Sequence, residues 1–349
     1  MKAMVLMAPN QPFEMMDVPD PSPSSGEAVA KVISCGAGLT IQHIRAGRTK
    51  VDYPRIIGHE ITAEIVEVGR DVLNLRVGDP VTAYYYLTCG KCRWCKGGRE
   101  TLCDNFSGYV GKSIDGGYAE FIKLPAKNFL KIPNNLDYKK YAAELGVITD
   151  AVATPIKITK KTRMKSGEVV AIIGAGGGLG LHMVMASLWA HTKVIAVDIS
   201  DKKLNVCNNL GVYGTINSNK TGLTEGLLEL TSGNGVDVIV DFVANHKTLG
   251  NSIRALGRGG RLAILGGGGV AKPTLVSGEW IKSREIEILG CKYVTKQEVL
   301  FALDIVSRGE IWPRVTEICL LKDVENMHQR IEGGLITGRA AIIIDPTLV

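Results

Sequence analysis

The 349-residue sequence lacks the features that mark several classes of protein. It has no run of basic residues, and its 41 Lys and Arg against 35 Asp and Glu leave a net charge of +6. A nucleic-acid-binding role is therefore unsupported, since such proteins concentrate lysine and arginine on one face. Residues 1–20 contain no hydrophobic segment of the kind that secretory signal peptides carry. We expect a cytoplasmic protein whose mildly basic surface suits anionic cofactors or acyl thioesters.

One stretch of the chain, residues 169–192, contains no Asp, Glu, Lys or Arg and is long enough to cross a bilayer. It also contains five glycines, three of them consecutive at 176–178, and a histidine at 182. This composition argues against a membrane helix. We therefore expect no membrane association, and we interpret the stretch as part of a globular α/β domain.

Cysteine is sparse except in one loop, where four of the eight cysteines fall within 15 residues. The four are Cys89, Cys92, Cys95 and Cys103. Their spacing, C-x2-C-x2-C-x7-C, suits a tetrahedral four-thiolate zinc site, and the glycines at 90, 97 and 98 permit the chain to wrap around an ion. A site with four protein ligands leaves no position for substrate, so the predicted zinc is structural. The alternative is a group of redox-active or unrelated thiols.

The length of the chain predicts two domains. In the first 150 residues, short apolar runs such as 28–33 and 61–68 alternate with Pro, Gly and Asp turns, which indicates β-strands around the cysteine loop. From about residue 157 the pattern alternates between strand and helix. Buried parallel strands are predicted at 169–173, 193–197, 236–240 and 261–265.

This alternation predicts a doubly wound parallel sheet, and hence an α/β protein. A helix is expected at 296–308, and a last strand at 340–344 is expected to return to the first domain. We therefore predict a β-rich domain formed by residues 1–155 and 296–349, which includes the zinc loop 89–103. Residues 156–295 form the predicted nucleotide-binding domain.

A glycine-rich turn follows the first strand of the predicted parallel sheet and leads directly into an apolar helix. The small residues let the backbone approach a pyrophosphate, which the helix N-terminus then stabilises. The residues predicted to bind the cofactor here are Gly174, Gly176, Gly177, Gly178, Leu179 and Gly180. Asp198 ends the next strand, where its carboxylate can accept hydrogen bonds from both adenosine ribose hydroxyls and repel a 2′-phosphate. The predicted cofactor is NAD(H).

Other cofactor contacts are less specific. Lys203 is either a second ribose or phosphate contact or a solvated helix lysine. Leu265 and Gly266 begin a glycine run, 266–269, that would let the backbone lie close to the nicotinamide; the alternative is a simple loop. Thr154 is a further cofactor-binding candidate.

Four features together resemble the zinc-containing medium-chain alcohol dehydrogenases: the segment Gly58-His59-Glu60, the cysteine loop, the glycine turn with Asp198, and the split first domain. The resemblance covers nearly the whole chain. It implies a GroES-like β-rich catalytic domain, a Rossmann coenzyme domain, a small-molecule substrate, and assembly into homodimers or homotetramers.

In this family a catalytic zinc is held by a cysteine, by the histidine of Gly-His-Glu, and by a third residue. The resemblance places His59, with Glu60 beside it, and Asp150 at the second and third of these positions. The cysteine position holds Gly38, and the aspartate that follows it in the family is Ile41. Cys35 matches a non-ligating cysteine, three residues early, which is about 10 Å along an extended chain.

The proton path of the family is retained, because Thr40 and His43 match the hydroxyl and imidazole that relay the alcohol proton to solvent. The tyrosines at 84, 85 and 86 precede the zinc loop, and they could line the substrate site or donate a proton. At least one of the three is expected to be core, since alternate residues of a strand share a face.

Three interpretations remain open. His59, Glu60 and Asp150 with water could hold a weakened zinc for ordinary alcohol dehydrogenation. Alternatively, the catalytic zinc is absent and the enzyme reduces conjugated substrates such as enones, enoyl thioesters or iminium ions. The third interpretation is a non-enzymatic NAD-binding protein. Residues 143–152 also resemble the branch that includes 6-hydroxycyclohex-1-ene-1-carbonyl-CoA dehydrogenase, which would suit an acyl-CoA substrate.

Overall fold

The computed structural model describes residues 1–266 and 277–348, and the chain divides into two compact units. Unit 1 comprises Met1–Ala153 and Val294–Val349, and unit 2 comprises Thr154–Tyr293. The chain therefore leaves unit 1 after the first 153 residues and returns to it for the C-terminal segment.

The regular elements within the described residues are numbered along the chain. The strands are β1 (Lys2–Leu6), β2 (Phe13–Asp17), β3 (Glu27–Ala37), β4 (Arg55–Ile56), β5 (Ile61–Val68), β6 (Pro80–Ala83), β7 (Phe121–Pro125), β8 (Phe129–Lys131), β9 (Val169–Ile173), β10 (Lys193–Asp198), β11 (Gly214–Asn217), β12 (Val236–Asp241), β13 (Leu256–Ile264), β14 (Glu287–Gly290), β15 (Val315–Leu320) and β16 (Arg339–Ile343). The helices are α1 (Leu39–Arg45), α2 (Arg93–Lys96), α3 (Ala142–Gly146), α4 (Ala153–Lys161), α5 (Gly178–Trp189), α6 (Asp201–Asn208), α7 (Leu223–Leu230), α8 (His246–Ala255), α9 (Gly278–Ser283), α10 (Lys296–Ser307) and α11 (Val324–Glu332).

Unit 1 is built on a sheet whose strand order is β15-β16-β3-β5-β6-β8, with β7 also paired to β3. The long strand β3 is buried along nearly its whole length, since it carries small and branched apolar side chains. The last strand, β16, pairs antiparallel with β3 and sets Ala340 opposite Ala37 and Ile342 opposite Cys35. The prediction that the terminal strand returns to the first part of the chain is therefore confirmed.

Unit 2 contains a parallel sheet of order β11-β10-β9-β12-β13-β14, and every pairing between these strands is parallel. Numbered within the unit, this order is 3-2-1-4-5-6, the doubly wound arrangement of dinucleotide-binding folds. Strands β9, β10 and β12 lie where the apolar runs predict them, because strands covered on both faces read as continuous apolar segments. The predicted α/β fold class is confirmed.

Some predicted boundaries differ from the observed ones. The strand expected at 261–265 is the second half of β13, which begins at Leu256 and ends at Ile264. Of the glycine run 266–269, only Gly266 lies among the described residues. The helix predicted at 296–308 is α10, which begins after a capping box formed by Thr295 and Glu298 and has Arg308 as its C-cap.

The uncharged stretch 169–192 forms β9, the glycine turn and α5, and most of its side chains are buried in unit 2. No helix in the described parts of the chain is both long and apolar enough to cross a membrane.

Candidate active site and metal centre

The four cysteines of the loop that contains α2 converge on one point. One sulfur atom from each of Cys89, Cys92, Cys95 and Cys103 lies within 4.8 Å of the others. Backbone N–H groups of Lys91 and Cys92 point at the Cys89 sulfur and lower the pKa of that thiol to about 6. Donor convergence and a stabilised thiolate are what a zinc ion requires, so this cluster could hold a structural zinc.

Two of the three glycines in this loop supply the positive φ angles that the wrapping needs: Gly90 has φ of 74° and Gly98 has φ of 65°. Gly97 does not, because it ends α2 with φ of −84°, a conformation open to any residue. Of the three glycines predicted to permit the wrapping, Gly90 and Gly98 therefore take the left-handed conformation, and Gly97 does not.

The glycine turn between β9 and α5 is tightly packed in unit 2. Gly174 has φ of 79°, and a Cβ at Gly180 would lie 1.9 Å from the carbonyl oxygen of Gly174. A Cβ at Gly176 would lie 2.3 Å from the Cβ of Lys203. Close contacts therefore require glycine at positions 176 and 180. The first turn of α5 begins at this turn, and the backbone N–H groups of a first helical turn can bind an anion.

Asp198 ends β10 beside this turn, and both of its carboxylate oxygens accept backbone hydrogen bonds. Oδ2 accepts from the N–H of Gly176 at 2.9 Å, and Oδ1 accepts from Ile199 at 2.8 Å and Ser200 at 3.2 Å. The carboxylate therefore fixes the glycine turn as well as ending the strand. The Lys203 side chain packs its stem over Gly176, which is a structural role that the sequence did not indicate.

The other cofactor candidates also lie in unit 2. Thr154 is buried in the first turn of α4. The N–H groups of Leu265 and Gly266 donate to the carbonyl oxygen of Asp241, at 3.1 and 3.3 Å. A Cβ at Gly266 would lie 2.4 Å from the carbonyl oxygen of Phe242. Gly266 is therefore packed closely against the backbone of Phe242.

In unit 1, the predicted substrate-side residues surround an arginine that sequence reasoning did not identify. Arg339, the first residue of β16, is 5% exposed. Its Nε and Nη2 atoms donate to Oε2 of Glu60 at 2.9 and 2.6 Å, and Nη2 lies 3.5 Å from Oδ2 of Asp150. We call Arg339, Glu60 and Asp150 the arginine–carboxylate cluster.

The charged groups of this cluster stabilise one another in a buried setting. Burial raises the pKa of Glu60, and the positive charge of Arg339 opposes that rise. Burial also opposes the charge on Arg339, but Glu60 and Asp150 outweigh it and raise the arginine pKa. The other Glu60 oxygen accepts from the N–H of Ala151 at 3.3 Å. A guanidinium that is always charged is thus held by two carboxylates.

Two glycines, Gly36 near the end of β3 and Gly38 between β3 and α1, make room for this ion pair. A Cβ at Gly36 would lie 2.3 Å from Oε2 of Glu60, and a Cβ at Gly38 would lie 2.3 Å from Nη1 of Arg339. Neither glycine has a positive φ angle, so the requirement comes from packing. The guanidinium therefore fills the space that a side chain at position 38 would need.

These residues do not fit a catalytic zinc. Glu60 is engaged by Arg339, and Nε2 of His59 lies 3.7 Å from Oδ2 of Asp150. Within residues 1–266 and 277–348, the four cysteines are the one set of three or more metal-ligating side chains whose donor atoms converge.

The remaining sequence candidates divide between core and site. Cys35 packs against Gly58 and Gly117, and burial raises its thiol pKa well above the usual value. Tyr84 belongs to the core, and its hydroxyl donates to the carbonyl oxygen of Val294 at 3.0 Å. Tyr85 lies against His59, with 4.3 Å between the centroids of the two rings. The expectation that at least one of the tyrosines is core is confirmed.

Helix α1 carries the predicted proton path directly after Gly38. Thr40 is exposed, and His43 is half-buried with its Nδ1 accepting a hydrogen bond from Nε of Arg48 at 2.8 Å. Ile41, at the position where the family resemblance implies an aspartate, is 2% exposed and packs into the core. Burial, and then the Arg48 charge, lower the pKa of His43.

Comparison with known proteins places both parts of the chain. A family model described as the alcohol dehydrogenase GroES-like domain matches residues 24–134, and one described as zinc-binding dehydrogenase matches residues 178–308. An alcohol dehydrogenase of Geobacillus stearothermophilus is 33% identical, with 98% of each chain covered. An NAD-dependent alcohol dehydrogenase of Sulfolobus acidocaldarius is 29% identical over 98% of this chain and 99% of its own length. The crystal structure of an alcohol dehydrogenase from Aeropyrum pernix is 30% identical, covers 99% of this chain and 100% of its own, and superposes with a TM-score of 0.90.

We expect Cys103→Ser to lose the zinc of the cysteine cluster, because a serine hydroxyl is not ionised at neutral pH and is a poor zinc ligand. Elemental analysis should find about one zinc per chain in the wild type and well under half of that in the variant, together with a lower Tm. Cys291→Ser is the matched control, since this cysteine lies outside the cluster and should leave the zinc content unchanged. Full zinc retention in Cys103→Ser would contradict the assignment.

We expect Gly180→Ala to distort the glycine turn, because the new methyl group would overlap the carbonyl oxygen of Gly174. The free energy of unfolding should fall by about 1–3 kcal/mol, as measured by denaturant titration. Gly290→Ala is the control, since a Cβ there meets no atom within 4 Å. Equal stability of the two variants would show that the turn relaxes freely.

Proposed function

Because the chain belongs to the alcohol dehydrogenase family of zinc-binding dehydrogenases, we propose that it is an NAD(H)-dependent oxidoreductase whose substrate site works without a catalytic zinc. The observation that carries the proposal is the guanidinium of Arg339, which fills the space beside Gly38 where the family has its zinc-binding cysteine. The cysteine cluster would then hold the one zinc of the chain, in a structural role.

The absence of a metal ligand at position 38 limits the chemistry. A catalytic zinc keeps an open position, through which it polarises a carbonyl oxygen. The guanidinium of Arg339 is already paired with Glu60 and is nearly inaccessible, so it offers no equivalent open position. A substrate that is already electrophilic removes the need for this Lewis acid.

We infer that the substrate is conjugated: an enone, an enoyl thioester or an iminium ion. For the first two, bound NADH would supply hydride to the β-carbon of the substrate, whose carbonyl oxygen would take up the electron density as an enolate and whose α-carbon would then take a proton. The products are NAD+ and the saturated carbonyl compound, so atoms and electrons balance. Thr40, whose side chain is exposed beside Gly38, is the candidate hydroxyl for supplying that proton.

Cofactor binding is assigned to unit 2. The glycine turn 174–180 at the start of α5 supports pyrophosphate binding, and the Asp198 carboxylate supports a preference for NAD over NADP. The NAD-dependent relative from Sulfolobus acidocaldarius is consistent with this preference. Thr154, Lys203, Leu265 and Gly266 remain candidate contacts.

Ordinary alcohol dehydrogenation is the second candidate function, favoured by the names of the relatives. It would need a weakly held zinc at His59, Glu60 and Asp150 once the guanidinium moved aside. Four reduced thiolates suit a cytoplasmic location, and a homodimer or homotetramer is the expected assembly. An acyl-CoA is the form in which an enoyl thioester would be presented.

The two functions differ in metal content and in substrate. We expect wild-type protein to contain about one zinc per chain and to oxidise NADH with enones or enoyl thioesters, without inhibition by a chelator that leaves the cysteine zinc in place. Elemental analysis and NADH absorbance would measure both. Two zincs per chain, together with chelator-sensitive oxidation of simple alcohols, would overturn the zinc-free proposal and favour the second function.

Substitutions at Gly38 sharpen this test. Gly38→Ala should displace the guanidinium and reduce turnover by about 10-fold or more, whereas Gly333→Ala, where a Cβ meets its first neighbour at 3.4 Å, should have little effect. Gly38→Cys with Ile41→Asp should bind a second zinc only when Arg339→Met is added, because the guanidinium otherwise occupies the site. A second zinc in the double variant without Arg339→Met would show that the Arg339 guanidinium moves aside when the metal binds.

Asp198→Asn should relax cofactor selectivity, because it removes a charge that repels a 2′-phosphate while keeping an acceptor oxygen for the glycine turn. We expect NAD to bind about 10-fold more weakly and NADP to bind more tightly, as measured by calorimetry. Asp201→Asn, in the first turn of the next helix, is the control. Unchanged selectivity in Asp198→Asn would mean that the adenosine ribose lies elsewhere.

A further inference from the structure

Helix α11 presents a polar face to helix α1, which carries Thr40 and His43. Glu325, His328 and Glu332 lie at positions i, i+3 and i+7 of α11, and thus on one face of that helix. Glu325 forms an ion pair with Arg45, and Nε2 of Gln42 donates to Oε2 of Glu332 at 2.8 Å. The contact between the two helices is therefore made by directional hydrogen bonds as well as by apolar packing.

The direction of each hydrogen bond in this contact can be deduced. The amide nitrogen of Gln42 faces the Glu332 carboxylate, which only accepts, so the amide oxygen faces Nδ1 of His328 at 2.9 Å. Burial lowers the pKa of His328 to about 3, so its ring is neutral. Nδ1–H must then donate to Gln42, and Nε2 must accept from the hydroxyl of Tyr118, which lies 2.9 Å away.

The other end of this chain of hydrogen bonds reaches His43 through Arg48. Nη1 and Nη2 of Arg48 donate to the two oxygens of Glu332, each at 2.7 Å, and these bonds lower the pKa of Glu332 to about 2. Nε of Arg48 donates to Nδ1 of His43 at 2.8 Å. A guanidinium has no acceptor, so Nδ1 of His43 must be the unprotonated ring nitrogen.

We propose that Arg48 is a positioning residue that holds His43 as the neutral Nε2–H tautomer, so that His43 offers a hydrogen-bond donor and does not act as a base. A ring that donates from Nε2 would bind an acceptor oxygen of the substrate. A proton entering at one ring nitrogen and leaving from the other would need Nδ1 to be free, and Arg48 occupies Nδ1. While Arg48 donates to Nδ1, His43 cannot relay a proton in the way that the family resemblance implies.

The charged groups around His43 support this inference. Arg48 follows α1 along the chain and Glu332 lies at the end of α11, and both charges act on the imidazole. Burial and then Arg48 disfavour the imidazolium, whereas Glu332 favours it. Although the Arg48 and Glu332 side chains are 38% and 45% exposed, two parallel hydrogen bonds fix the plane of the guanidinium and aim Nε at the ring.

The test is the tautomer of His43 in the full-length protein, read by long-range 1H–15N correlation NMR with 15N-labelled histidine. His43→Gln identifies the signal among the six histidines. We expect the wild-type ring to show the Nε2–H pattern and to remain neutral at pH 6.5, where an ordinary histidine is half protonated. A wild-type Nδ1–H pattern, or an imidazolium at that pH, would overturn the proposal without any variant.

Arg48→Met should release Nδ1 of His43 and give a mixture of the two neutral tautomers. The midpoint of the His43 titration should move up towards about 6.5 or beyond, because a positive neighbour is lost and Glu332 remains. The acid limb of kcat/KM should move to higher pH in the same direction. Arg45→Met is the matched control, since it breaks an ion pair between the same two helices and does not contact His43. Equal changes in both variants would reduce Arg48 to a structural clamp.

Arg48→Lys separates charge from geometry. A lysine keeps the positive charge but has a single donor group, so it cannot hold both Glu332 oxygens and Nδ1 of His43 in one plane. We expect this variant to show mixed tautomers of His43, and the midpoint of the His43 titration should stay below that of Arg48→Met. A wild-type spectrum in Arg48→Lys would show that charge alone sets the state of His43, and the positioning role would be wrong.

Discussion

The buried ion pair between Arg339 and Glu60 is the constraint on which the substrate side of unit 1 depends. Burying two charges costs several kcal/mol for each ion, and the cost is offset only when geometry and hydrogen bonding are good. Here Glu60 accepts from two nitrogens of the arginine and from the backbone of Ala151. Removal of either partner would leave an uncompensated charge, which typically costs about 3–5 kcal/mol. Gly36 and Gly38 belong to the same constraint, because a side chain at either position would overlap the pair.

The same pair links the two segments of unit 1. Strand β16 pairs antiparallel with β3 in a register that sets Ala340 opposite Ala37. Arg339, one residue before Ala340, therefore comes beside Gly38, one residue after Ala37. The sheet register thus brings a cation from the C-terminal segment to the position where the family resemblance implies a metal-binding cysteine. A shift of one residue would turn Arg339 to the other face of the sheet.

The features that sequence reasoning predicts well are those encoded by local spacing. The cysteine loop, the glycine turn after β9 and the apolar strands of unit 2 each depend on residues close together in the chain, and the structure has them where the pattern indicates. The arginine–carboxylate cluster was missed because it depends on strand register between distant segments. From the sequence, Gly38 indicates only that a metal-binding thiolate has been lost. In the structure this glycine has a packing role, because it makes room for the Arg339 side chain. Ile41 in turn has a core position, which explains why an apolar residue is accommodated there.

Residue identity is also insufficient to assign proton transfer. Thr40 and His43 match the family pattern, yet the hydrogen bond from Arg48 leaves His43 with its proton on the nitrogen that faces away from the guanidinium. Alcohol oxidation must remove a hydroxyl proton, and it benefits from a metal and a base. Reduction of a conjugated substrate instead develops negative charge on oxygen, which hydrogen-bond donors stabilise. A site in which the Arg339 guanidinium fills the space beside Gly38, and in which His43 presents a donor, has neither the metal nor the base that alcohol oxidation would use. Both features therefore favour the reductive direction.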